Sequence, residues 1–301
     1  MLELNLPARV YVEEGARIEA AFVEACDWLK SLGVFAASNR FSMYLKLLRD
    51  FGREQPDSLQ SDEGFRNYVG AMAEASELIR IRRWMGQIDS ASYLDQLKKV
   101  TSGRPFKSQV GADPARDFAF ELSIAARFLA AGYSVDVTSI ADTIAHVGRQ
   151  KVYVECKRVQ SPSKVMKRLR EAQNQLNIRL QADASSKSRG LVACKLTEVL
   201  NPEARIALFP HALDFRHASE KAMQGYVREN EDELKRCIGR KQLGVLFENN
   251  LHGVVYNDQD PSSEPAFMNC RGATLYYYGL GEQDVSLVTG MAPALSNQNI
   301  L

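Results

Sequence analysis

The stretch DTIAHVGRQKVYVECK, residues 142–157, decides how the chain reads. Asp142 to Val147 fits one strand and Lys151 to Val159 the next, with Gly148-Arg149 between them as a two-residue turn. Such a turn sets Val147 against Gln150. Counting outwards then places Asp142 directly opposite Glu155 on a shared face, with Cβ atoms about 5 Å apart. Glu155 and Lys157 lie on that same face, about 7 Å apart along the strand. Val154 and Cys156 point the other way, into packing. A carboxylate and an ammonium on a central strand are expensive to bury unless they are paired or bind something.

The flanking segments extend the pattern. Upstream, Asp113-Pro114 starts a helix whose apolar stripe is Phe118, Leu122, Ala125 and Leu129, and Gly132 stops it. Glu121 sits on this helix. Tyr133 to Val137 alternates like a strand. Downstream, Ser161-Pro162 opens a helix with the stripe Val165, Leu169, Ala172, Leu176 and Leu180, and Gly190 to Cys194 is a buried strand. Beyond it the sequence predicts a polar helix over 215–238 and strands at 243–247, 253–256 and 274–278. Residues 111–290 thus read as an α/β domain. Residues 1–110 predict a helical region, with amphipathic stretches near 14–31, 39–52, 61–85 and 90–100. A polar connector follows at 101–112, and 291–301 read as a loose tail.

Composition excludes several classes. The chain has 301 residues, 45% hydrophobic and 25% charged, which is enough to bury a core without disulfide staples. No apolar run approaches the roughly 18 residues of a membrane span, and the first ten residues lack a secretory pattern. Five scattered cysteines show no paired zinc-type spacing, so a reduced, cytoplasmic setting is expected. A formal charge of +1 leaves any nucleic-acid binding to a local patch. One such patch runs from Arg149 to Arg170, with eight basic residues against the single acid Glu155. Lys164, Lys167, Arg168 and Arg170 are candidate phosphate contacts, and Gln173 a candidate contact to substrate.

Three carboxylates and a lysine suit one chemistry. Carboxylate oxygens are preferred ligands of Mg²⁺ or Mn²⁺. A neighbouring lysine can orient or help deprotonate an attacking water. The ordered set of Glu121 on a helix, Asp142 on a strand and Glu155-Cys156-Lys157 on the next strand resembles the PD-(D/E)XK nucleases, the restriction-endonuclease-like group, over about residues 113–196. The residue before Asp142 is Ala141 rather than proline, and the later helix has no tyrosine at the spacing of recombination-type members. The resemblance implies a restriction-endonuclease-like α/β fold, a mixed central sheet flanked by helices, and a metal-dependent nuclease acting on DNA or sometimes RNA. It implies Asp142 and Glu155 as metal ligands, Glu121 as an auxiliary ligand or as the residue orienting a metal-bound water, and Lys157 as the residue positioning the nucleophilic water. Cutting both strands of a duplex would favour a homodimer. The alternative is a binding module on the same fold, holding nucleic acid or protein without catalysis. Asp136, a rival for Asp142, is expected at the surface, and His146 is expected as a packed or surface residue rather than a ligand.

Overall fold

The computed structural model describes residues 2–6, 13–35, 39–53, 62–106, 113–137, 142–183, 185–256, 266–296, 299 and 301. Ala141 and the 107–112 part of the expected connector lie outside these. The chain divides into two compact units, one made of residues 1–10 and 127–298, the other of 11–126 and 299–301. The division falls inside a helix rather than in the connector.

The helical unit holds α1 (Gly15–Ser31), α2 (Arg40–Arg53), α3 (Asp62–Met85), α4 (Ala91–Thr101) and most of α5 (Pro114–Ala130). Of the α1 stripe Ile18, Phe22, Ala25 and Leu29, the last three are buried and Ile18 is half-buried. Phe41 meets Phe22 and Tyr44 edge-on. An ion cluster is buried with this core: Arg116 bonds Glu74 at 2.7 Å and also pairs with Asp113, while Arg40 reaches Glu74 at 3.2 Å.

The sheet unit is mixed α/β. Its eight-stranded open sheet contains β1 (Leu2–Leu6), β2 (Ser134–Asp136), β3 (Thr143–Val147), β4 (Gln150–Arg158), β5 (Ser188–Lys195), β6 (Ala207–Phe209), β7 (Gln242–Val255) and β8 (Ala266–Tyr277). The strand order is β1-β8-β7-β5-β4-β3-β2, with β6 also beside β7. β4, β5 and β7 run parallel, and antiparallel pairs flank them. The β3–β4 hairpin has the predicted register, Val147 opposite Gln150 and Thr143 opposite Val154. Gly148 takes a φ of +58°, which the tight turn requires. A short 3₁₀ turn at Pro162–Lys164 leads into α6 (Val165–Ala182). Its five predicted apolar residues are all buried, and Val165 and the three leucines each contribute about 1.5–3 kcal/mol. They share a core with Met223 and Val227 of α8 (Ala212–Glu229) and Leu234 of α9 (Glu231–Arg236).

Several elements differ from the sequence expectation. Residues 2–6 form an edge strand on β8, not part of the helical region. The expected strands at 243–247 and 253–256 are one strand, β7. Asn249, Asn250 and Gly253 resemble a turn in sequence, yet both asparagines are buried and ladder partners hold them extended. Gly253 has no room for a side chain, with the Phe215 ring 2.7 Å from a Cβ position. The 215–238 helix breaks at Asn230, whose side-chain amide donates to the Tyr226 carbonyl. Short α7 (Thr197–Leu200) and β6 had no sequence signal strong enough to find. The 291–301 tail is corrected in part: α10 (Glu282–Leu295) buries Met291, Ala292 and Leu295, although Gly290 and Pro293 make the stretch look irregular.

One buried ion cluster pins the sheet face opposite α6. Glu248 of β7 is fully buried, 3.1 Å from Arg127 of α5 and 2.8 Å from Arg271 of β8. Arg127 also donates to the Leu295 carbonyl at 2.9 Å. Burial pushes the Glu248 carboxyl up, but Arg271, Arg127 and Lys195 outweigh it and hold the pKa below the ordinary value. The stability contributed is therefore present above about pH 4.5 and lost as pH falls through the lowered native value. Glu248→Gln should destabilise the protein by about 3 kcal/mol near pH 7. It should also flatten the acid limb of a urea-midpoint versus pH curve; an unchanged midpoint would exclude this role.

Candidate active site

The site is built from the middle of β4. Tyr153, Glu155 and Lys157 alternate onto the face that α6 covers, where Tyr153 belongs to the α6 core. Glu155 has no exposure. Lys157 Nζ stands 3.7 Å from Glu155 Oε2. The Arg179 guanidinium of α6 contacts Glu155 Oε1. The buried carboxylate thus lies between two cations, which such a position requires.

Asp142 immediately precedes β3, where continuing the hairpin register sets it opposite Glu155. Its Oδ2 accepts the Cys156 amide at 2.7 Å. That bond ties the start of β3 to β4 and holds the carboxylate at the Glu155 end of the hairpin. Burial lowers the Arg179 pKa while Asp142 and Tyr153 raise it, which places Asp142 within electrostatic reach of the same guanidinium. Arginine stays charged in such surroundings. Asp142, Glu155, Lys157 and Arg179 thus form one set whose formal charges cancel.

The flank of α6 beside the buried stripe completes the surroundings. Arg168, Glu171, Gln175 and Arg179 recur at three- and four-residue steps, so they share this flank. Glu171 bonds Arg168 at 2.7 Å. That bond, with the pull of Arg168, Lys167 and Lys157, outweighs burial and lowers the Glu171 pKa. The flank therefore faces Lys157. Arg168 and Lys164 are exposed on or just before it, and Lys167 points to solvent. The opposite flank carries Arg170 and Gln173. Arg170 hydrogen-bonds Cys237, and the Gln173 carbonyl accepts from the Gln242 side chain at 3.3 Å. These two pack against the segment 237–242 rather than facing Lys157.

The structure therefore brings Asp142, Glu155 and Lys157 together. Glu121 is half-buried on the part of α5 that belongs to the helical unit. Among the described residues, no group of three or more His, Cys, Asp and Glu side chains gathers as a metal site. Two carboxylates still fit Mg²⁺, which keeps several waters and binds through one or two carboxylates plus substrate phosphates. Both Glu155 oxygens are buried and demand positive charge, which Lys157 and Arg179 supply here and a divalent ion could supply in place of Arg179. Asp136 is exposed, as the sequence suggests, and bonds His146 at 3.1 Å. Arg179 and Glu171 were not found by sequence. Their spacing was visible, but which flank of α6 faces the strand depends on how the helix docks.

Compared with family models, curated proteins and solved structures, the chain has no match. Among the described residues no helix is long and apolar enough to cross a membrane.

The Asp142–Cys156 bond has a direct test. Asp142→Ala should cost about 1–3 kcal/mol, since it leaves the Cys156 amide without its charged acceptor. Asp142→Asn keeps an acceptor and should recover at least half of the loss. Chemical denaturation of both variants measures this, and equal losses would show that the bond contributes nothing.

Proposed function

We propose that the chain is a divalent-metal-dependent phosphodiester hydrolase acting on nucleic acid, most simply DNA, of the PD-(D/E)XK kind. The observation that carries this reading is the convergence of Asp142, Glu155 and Lys157 at one end of the β3–β4 hairpin. The element order α5-β2-β3-β4-α6-β5, with β4 and β5 parallel, supports it.

Asp142 and Glu155 would hold Mg²⁺ or Mn²⁺. When bound, such a cation lowers the pKa of water and stabilises charge developing on a phosphodiester. Lys157 orients the attacking water and, as a compact cation, offsets charge at the scissile phosphate. Glu155 fixes the Lys157 ammonium 3.7 Å away, so the amine is aimed before substrate arrives. Arg168 and Lys164 form a cationic rim beside Lys157, suited to phosphates flanking the one attacked. Arg170 and Gln173, turned to the other flank of α6, have no part in that contact.

The Arg179–Glu155 pair favours a second reading, a nucleic-acid-binding module on the same fold without hydrolysis. Incubation of plasmid, linear and single-stranded DNA, and RNA, with Mg²⁺, Mn²⁺ or EDTA decides between them. Cleavage should appear with either metal and vanish with EDTA. Lys157→Ala, Glu155→Gln and Asp142→Asn should each lower kcat by about 10²-fold or more. Binding that persists with no cleavage of any substrate would leave only the binding module. In either case Arg168→Ala and Lys164→Ala should each reduce the salt slope of nucleic-acid binding by about 1. Arg170→Ala should not.

A further inference from the structure

Arg179 occupies the position in which a cation is needed. Its guanidinium lies against Glu155, a carboxylate with no exposure, and Asp142 raises its pKa against the pull of burial. A divalent ion bound by Asp142 and Glu155 would meet a positive charge already paired with one of its two ligands. Like charges at that range, away from bulk water, repel strongly. We infer that Arg179 is the resident counter-ion of the site, displaced by an entering divalent cation and carried along the α6 flank to a phosphate of the substrate. This rests on the assignment of Asp142 and Glu155 as metal ligands, not on hydrolysis.

Three features support the exchange. First, the formal charges of Asp142, Glu155, Lys157 and Arg179 cancel, so the buried carboxylate is tolerated without metal. Adding a divalent ion upsets that balance, and phosphates restore it. Second, Arg179 has somewhere to go. Its side chain is 18% exposed, and the flank it shares carries exposed Gln175 and Arg168. Third, a guanidinium matches phosphate as well as it matches carboxylate, through paired N–H donors. Metal and nucleic acid would then bind cooperatively, because each favours the same displaced arginine. Arg179 is a positioning and regulatory residue in this scheme. It balances the carboxylate charge until both ligands arrive.

The test uses the full chain without nucleic acid and Mn²⁺ as the probe, followed by titration calorimetry. Arg179→Gln should bind Mn²⁺ about tenfold more tightly than the natural chain, within the ordinary range for two coupled ligands. Arg179→Lys keeps the charge and should stay near the natural value. Asp142→Asn with Glu155→Gln should abolish binding. A second measurement needs no folded Gln variant: in the natural chain, Mg²⁺ should shift the Arg179 side-chain Nε–H resonance and speed its exchange with water. An unchanged or weaker Mn²⁺ affinity in a folded Gln variant, or an Arg179 signal unmoved by saturating Mg²⁺, overturns the exchange. So does a natural chain and a Gln variant that both fail to bind Mn²⁺. If the exchange is seen but no nucleic acid is ever cut, the hydrolase reading fails and the exchange stands. If cutting is seen while Mn²⁺ affinity ignores residue 179, the reverse holds.

Discussion

A carboxylate without solvent at the centre of a sheet must be neutralised where it stands, and Glu155 imposes that condition on everything around it. It pairs with Val192 of β5, and no part of it is exposed. Lys157, two residues along the same face, supplies one cation, and α6 supplies the other through Arg179. The five buried apolar residues of α6 hold the helix where its flank meets the strand. Asp142 joins the same charge set because a two-residue turn fixes the hairpin register and the Cys156 amide anchors its carboxylate. The packing, the turn and the charges are therefore one arrangement. A register slip by one residue would turn Asp142 to the other face and break it.

That dependence explains what could be read from sequence. Local rules determine the hairpin: strand alternation and a glycine at the one position whose φ must be positive. The α6 stripe follows from helical periodicity, and each of its apolar residues is buried as spaced. Pairings distant in sequence are harder. Glu248 meets Arg127 across 121 positions, and nothing local marks either as buried. β7 was hidden because its asparagines and glycine carry turn propensity, which a buried ladder overrides. β1 was missed because five residues of alternation are a weak signal, and their partner strand lies some 270 positions away. Arg179 belongs to the same class: its spacing is local, but the direction it faces is tertiary.

Among the described residues the sheet buries two acidic side chains, Glu155 and Glu248, on opposite faces, and their counter-ions differ in solvent reach. Glu248 is held by Arg127 and Arg271, whose side chains are 1% and 5% exposed. Arg127 is further tied to the Leu295 carbonyl, so its release would break a second bond. No ligand can exchange with cations that solvent does not reach, and removing either would leave a buried charge uncompensated. Glu155 is buried as deeply, yet Lys157 and Arg179 are 17% and 18% exposed. Their outer atoms already meet water, so a new partner can replace the old without unfolding the sheet. The same element of physical chemistry, a desolvated carboxylate between two cations, therefore locks one face of the sheet and leaves the other open to chemistry. Solvent reach of the counter-ions, rather than the buried acid itself, makes the distinction.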